Sequence, residues 1–80
     1  MRGGLKVLSG SDVVSIYERF GFAVAGGTKH IKMRRIGPSG IETLIVADHT
    51  PIGKGLLRTM FVQASAYIPE AQLHPHFYNE

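Results

Sequence analysis

The stretch that most constrains this chain is Gly37-Pro38-Ser39-Gly40. Proline fixes its own φ and glycine tolerates dihedrals that other residues avoid, so this cluster reads as a tight turn. It is flanked by two strand-type runs, Lys29 to Ile36 before it and the Thr-, Ile-, Leu- and Val-rich Glu42 to Asp48 after it. A hairpin centred on Pro38-Ser39 sets Ile31 against Val46, Met33 against Leu44 and Arg35 against Glu42. Two apolar pairs and one opposite-charge pair then share a face. A slip of one residue would undo that agreement. Side chains alternate along a strand, so the other face carries His30, Lys32 and Arg34. On that face Ala47 lies opposite His30 and Ile45 opposite Lys32. His49 falls diagonally across from His30, about 7–8 Å away between backbones.

Helical patterns bracket the hairpin. Ser9 precedes Asp12 in a capping-box arrangement with Asp in place of Glu. Val13, Ile16, Tyr17 and Phe20 follow the spacing of a one-sided helix. Gly21 suits a left-handed C-cap, with Phe22 folding back as its hydrophobic contact. The spacing predicts a helix over about 10–20, and Phe22 to Ala25 reads as a short strand broken by Gly26-Gly27. Residues 49–53 form a loop. A second helix begins at Lys54, carries Leu57, Met60, Phe61 and Ala64 as its apolar stripe, and ends near Ala66. Ile68-Pro69-Glu70-Ala71 suits a short helical turn with proline at its first position. The lead-in, 1–8, reads as loose, with Leu5, Val7 and Leu8 available to pack on the domain. The tail from His74 to Glu80 reads as loose or docked by its aromatics, with His74 and His76 unstructured and no metal site. Two narrow apolar stripes must share one sheet face. The expected fold is therefore α+β, an α-β-β-β-α two-layer sandwich with its other sheet face open to solvent.

The chain has 80 residues, enough for one domain. A chain this short buries only about 60% of its unfolded surface. Hydrophobic content of 44% against 19% charged excludes a disordered segment. Cysteine is absent, which rules out disulfides and thiolate metal ligands. Met1 to Leu8 lacks the apolar run of a signal peptide or membrane span, so a cytoplasmic protein and no membrane partner are expected. The formal net charge is +3. No acid stands between Glu18 and Glu42, whereas Arg19, Lys29, Lys32, Arg34 and Arg35 all fall there. Such an excess suits a polyanion such as nucleic acid. It also suits a strand edge kept from aggregating by its charges.

On these residues the chain resembles the HicA toxin family of bacterial toxin–antitoxin systems. The family marker, Gly-Ser-x-His entering a strand, corresponds to Gly27-Thr28-Lys29-His30. Ser9-Gly10 stands before the first helix and Phe20-Gly21-Phe22 at its end. His49 follows the third strand, Lys54-Gly55 precedes Leu57-Arg58, and Gln63-Ala64 comes near the end of the second helix. Each motif is short, and it is their order and spacing over residues 8–66 that carry the likeness. Thr28 replaces the usual serine, Ala47 stands where proline is common, and residues 67–80 extend a minimal member. The resemblance implies a single domain with a fold like that of double-stranded-RNA-binding domains. It also implies a ribonuclease acting on messenger RNA, a HicB-type antitoxin as partner, and His30 as the catalytic residue.

The chemistry of those residues is compatible with that role. RNA carries its own nucleophile, the 2′-hydroxyl. Histidine, with an unperturbed pKa of about 6.5, can take or give a proton near neutrality. Lys32 and Arg34 could hold phosphate oxygens and stabilise developing charge. This scheme calls for neither metal nor cofactor. Thr28 could hydrogen-bond within the Gly-Gly turn and orient His30, or contact a phosphate. Lys29 is a candidate phosphate contact. His49 is a candidate second proton carrier, or a loop histidine that bonds the backbone. Lys54, with the amides of Gly53 and Gly55, marks a helix N-terminus that attracts phosphate, and Arg58 lies one turn on. The rival readings are a non-catalytic RNA-binding module on the same basic face and a scaffold that meets only protein partners.

Overall fold

The first helix, α1, spans Gly10–Arg19 in the computed structural model, which describes residues 4–79. Ser9 caps it: its Oγ accepts from the Asp12 amide at 3.3 Å, and Asp12 Oδ2 accepts from the Ser9 amide at 2.9 Å. The far end closes as expected. Gly21 has φ +93°, its N–H donates to Glu18 O at 3.1 Å, and the Phe22 N–H donates to Tyr17 O at 3.2 Å. Phe22 folds back, buried, with its ring 6.1 Å from that of Tyr17.

Three strands follow: β1 (Ala23–Gly26), β2 (His30–Gly37) and β3 (Gly40–Ala47). They form one antiparallel sheet in the order β1-β2-β3. The β2–β3 register is the symmetric one, with Ile31 against Val46, Met33 against Leu44, Arg35 against Glu42 and His30 against Ala47. β1 pairs with β2 through an irregularity between Val24 and Gly26. Met33, Leu44 and Val46 are buried on one face, beneath Val13, Ile16 and Tyr17 of α1 and Leu57, Met60, Phe61 and Ala64 of α2 (Lys54–Ala64). The α+β two-layer arrangement follows from this single-sided burial.

The tail is docked by its aromatics, one of its two expected states, but it is more ordered than a single helical turn. A third helix, α3, spans Glu70–Phe77, with Pro69 at its N-cap and Pro75 inside it. Ile68, Leu73 and Phe77 are fully buried in the same core. Leu5 forms a bridge with Tyr78, Lys6 N–H donates to Phe77 O at 2.8 Å, and Asn79 N–H donates to Gly4 O at 2.9 Å. The described parts of the lead-in and tail are thus paired with each other rather than loose, and Leu5, Leu8 and Phe77 join the buried core. Leu5 and Leu8 are buried, while Val7 is exposed. His74 and His76 are helical: His74 stacks on Tyr78 with ring centres 4.3 Å apart, and His76 meets Phe20 edge-on at 5.5 Å. Residues 1–3 of the expected lead-in and Glu80 of the tail lie outside the described residues. Among the described residues, no helix is long and apolar enough to cross a membrane.

Candidate active site

His30 opens β2 at the end of the Gly26-Gly27 turn. Gly27 has φ +92°, and a Cβ there would overlap the His30 carbonyl. Only glycine lets the chain turn this closely and enter the strand with His30 on the face away from the helices. Parity sets Lys32 and Arg34 on the same face, and all three side chains are exposed. Among the described residues the one ion pair is Arg35–Glu42. Lys32 and Arg34 therefore have no carboxylate neutralising them there.

This face is less open than a bare sheet. Ala47, directly opposite His30, is only 5% exposed. The cause is α2, which overhangs the β3 edge and encloses a hollow of about 260 Å³. His30, Ile45 and Ala47 line it from the sheet, and Leu56, Thr59, Met60 and Gln63 line it from α2. His30 thus stands at the rim of a pocket, exposed but flanked by aliphatic walls. Leu56, Thr59 and Gln63 were missed as site residues. Their signal was present: Leu56, Thr59, Met60 and Gln63 repeat the helical spacing of the core stripe one residue earlier, so α2 carries two overlapping faces. Farther along, Ile36, Ile41 and Ile45 are exposed beside the cations, at 86%, 69% and 40%.

The other candidates are dispersed. Thr28 lines a separate hollow with Ser11, Val14, Ser15, Gly27, Val24, Ile31 and Asp48, on the side of the sheet that α1 covers. Lys29 is exposed just before β2, and its carbonyl accepts from the Asp48 amide at 2.9 Å. His49 is exposed in the loop after β3 and does not line the hollow with His30. Its carbonyl accepts from the Gly10 amide at 2.9 Å. That bond holds α1 against the end of β3, where a Cβ on Gly10 would lie 2.8 Å from the Ala47 carbonyl oxygen. Lys54 and Arg58 are exposed. They lie about 180° and 140° around α2 from Gln63, toward the opposite flank.

The five cations of the acid-free interval do not form one patch. Arg35 is on the helix side, 22% exposed, and all three of its guanidinium nitrogens are engaged. It donates to Glu42 Oε1 through Nε at 2.9 Å and Nη2 at 2.6 Å, to Phe20 O at 2.7 Å and to Tyr67 O at 2.9 Å. Its guanidinium carbon lies 4.6 Å from the centre of the Phe22 ring. Arg19 lines a third hollow with Lys6 and His76, also on the helix side. Burial, with Arg19 and Lys6 nearby, holds the His76 imidazole below its ordinary pKa. Lys29, Lys32 and Arg34 remain as the cations of the sheet and its entry.

Comparison of the chain with protein-family models, with curated proteins and with solved structures finds no match.

Proposed function

We propose that this chain is a metal-independent endoribonuclease of the HicA toxin type, acting on messenger RNA in the cytoplasm. The observation that carries the reading is an exposed histidine sharing a sheet face with two cations that have no acidic partner among the described residues, at the mouth of a pocket. In the reaction, the ribose 2′-hydroxyl loses its proton and attacks the adjacent phosphorus. The P–O bond to the 5′-oxygen breaks, and that oxygen gains a proton. His30 serves as the base or the acid, and Lys32 and Arg34 balance charge on the crowded phosphate. The exposed Ile36, Ile41 and Ile45 beside these cations favour a partner with an apolar, acidic surface. A HicB-type antitoxin laid over this face would bury His30 and silence the enzyme.

One observation favours the non-catalytic RNA-binding reading. Among the residues lining the hollow, His30 is the only one with an ionisable side chain, so no second acid or base stands beside it there. A single experiment separates the two. Purified protein is mixed with RNA in chelator, alongside His30→Ala. Fragments from the parent chain, with a loss of at least about a hundredfold in the variant, fit general acid–base catalysis. A band shift without fragments means a binding module, and equal cleavage by the variant removes His30 from the mechanism.

A further inference from the structure

The hollow beside His30 has a composition that phosphate contacts do not explain. Cations would serve a phosphodiester, yet the α2 wall supplies none: it offers Leu56, Thr59, Met60 and Gln63. Ile45 and Ala47 close the sheet side. Apolar walls with a hydroxyl and an amide between them suit a planar, hydrogen-bonding ring. Its volume, about 260 Å³, is below the roughly 300–1,000 Å³ typical of clefts for drug-sized ligands, so it suits one ring system rather than a whole nucleotide.

We infer that this hollow is a base-recognition subsite that seats the nucleotide next to the scissile phosphate and selects a base whose exocyclic group at purine C6 or pyrimidine C4 is an amine, adenine or cytosine. The inference rests on the ribonuclease reading only in naming that phosphate as scissile. The selection follows from the hydroxyl. Thr59 Oγ1 donates its proton to the Gly55 carbonyl at 3.1 Å, the bond of a helical side chain to the preceding turn. What remains on that oxygen is acceptor capacity. Gln63 stands one helical turn beyond Thr59 and is exposed, offering one acceptor and two donors. Adenine and cytosine each present an amine beside a ring nitrogen, so the amide bonds both edges and the second amine hydrogen goes to Thr59. Guanine, whose amine is at C2, and uracil present a carbonyl where the amine would be. Against Thr59 that sets acceptor to acceptor, unless the hydroxyl abandons Gly55. Single-stranded RNA is read in this manner, through unstacked bases bonded along their edges.

The test uses the full chain and short 2′-O-methyl oligonucleotides of A, C, G or U, which lack the nucleophile and stay intact. Titration is followed by the NMR signals of the Gln63 side-chain amide and the Thr59 methyl group. Oligo-A and oligo-C are expected to shift both signals and to bind more tightly than oligo-G and oligo-U, on the order of tenfold. Gln63→Leu and Thr59→Val, whose folding is checked by thermal unfolding, should level the four affinities. Equal affinities in the parent chain, or a preference that survives both substitutions, would overturn the subsite. The two readings fail separately. A chain that binds oligo-A with Gln63 perturbed but never cuts RNA keeps the subsite and loses the enzyme. A chain that cuts RNA with no preference keeps the enzyme and loses the subsite.

Discussion

Arg34 and Arg35 are neighbours in sequence and opposites in role. Parity puts Arg34 with Lys32 and His30, and Arg35 with Met33. The sequence made that split legible, along with the Arg35–Glu42 pair. It did not show that Arg35 also holds the carbonyls of Phe20 and Tyr67, because these arrive from remote turns of the chain. Replacing Arg35 by Ala leaves a mostly buried Glu42 carboxylate and loosens two carbonyls. The expected loss is about 2–3 kcal/mol, read by urea unfolding. Arg35→Lys should recover only part of it, since an ammonium cannot span the same fork of acceptors. Arg34→Ala should cost less than about 0.5 kcal/mol, as an exposed site away from such contacts. His76 is held below its ordinary pKa by burial and by Arg19 and Lys6, so the unfolded chain binds its proton more readily. Its effect on stability is therefore flat above the unfolded pKa of about 6.5 and unfavourable as pH falls below it. Tyr17, only 1% exposed and donating to Met60 O at 3.3 Å, is shifted the other way, well above the ordinary phenol range, by burial. Its contribution is complete below about pH 10 and lost as pH rises beyond that. His76→Gln should flatten the acid limb of an unfolding-midpoint profile, and Tyr17→Phe the alkaline limb.

At the scale of elements, legibility followed locality. The caps of α1, its stripe and the hairpin register rest on residues close in sequence, and each stands in the structure as the spacing predicts. α3 was only half visible. Pro69 marks its start, but Pro75 and the paired histidines read as a break, and too few apolar residues stand there to draw a stripe. What makes it a helix is docking. Leu73 and Phe77, one turn apart, insert fully into the core, and the Phe77 ring lies 5.5 Å from Phe61 and 6.3 Å from Tyr17. Tertiary burial overrode local preference here. The tail is consequently part of the domain and not an appendage to a core of residues 8–66. Removal of residues 67–80 should abolish cooperative thermal unfolding. Leu73→Ala should cost about 2–5 kcal/mol, the range for emptying a buried leucine site. A truncated chain with an unchanged midpoint would return α3 to the status of an accessory.

The whole molecule has two faces with different work. One sheet face is buried under α1 and α2, with α3 packed against α2, and holds the fold; the other carries His30, Lys32 and Arg34 beside exposed isoleucines. Alternation made that division readable from β2 alone. The second stripe of α2, Leu56, Thr59 and Gln63, is visible in the spacing, but its overhang of β3 is not, because that depends on how the helix lies against the sheet. The cations also divide by face: Lys29, Lys32 and Arg34 serve the front and its entry, and Lys6 and Arg19 the hollow at the back. RNA affinity measured against salt distinguishes them. Each phosphate neutralised on a single strand adds about 0.7 to the slope of log affinity against log salt. Lys32 and Arg34 on the front, with Lys29 at its entry, would give a slope near −2, on the order of 0.7 per contact. Lys32→Ala with Arg34→Ala should reduce its magnitude by about 1.4, since two of those contacts are removed. Lys6→Ala with Arg19→Ala should leave it unchanged. If instead the rear pair lowers the slope and the front pair does not, RNA lies across the helices, and His30 is on the wrong side of the molecule to reach its phosphates.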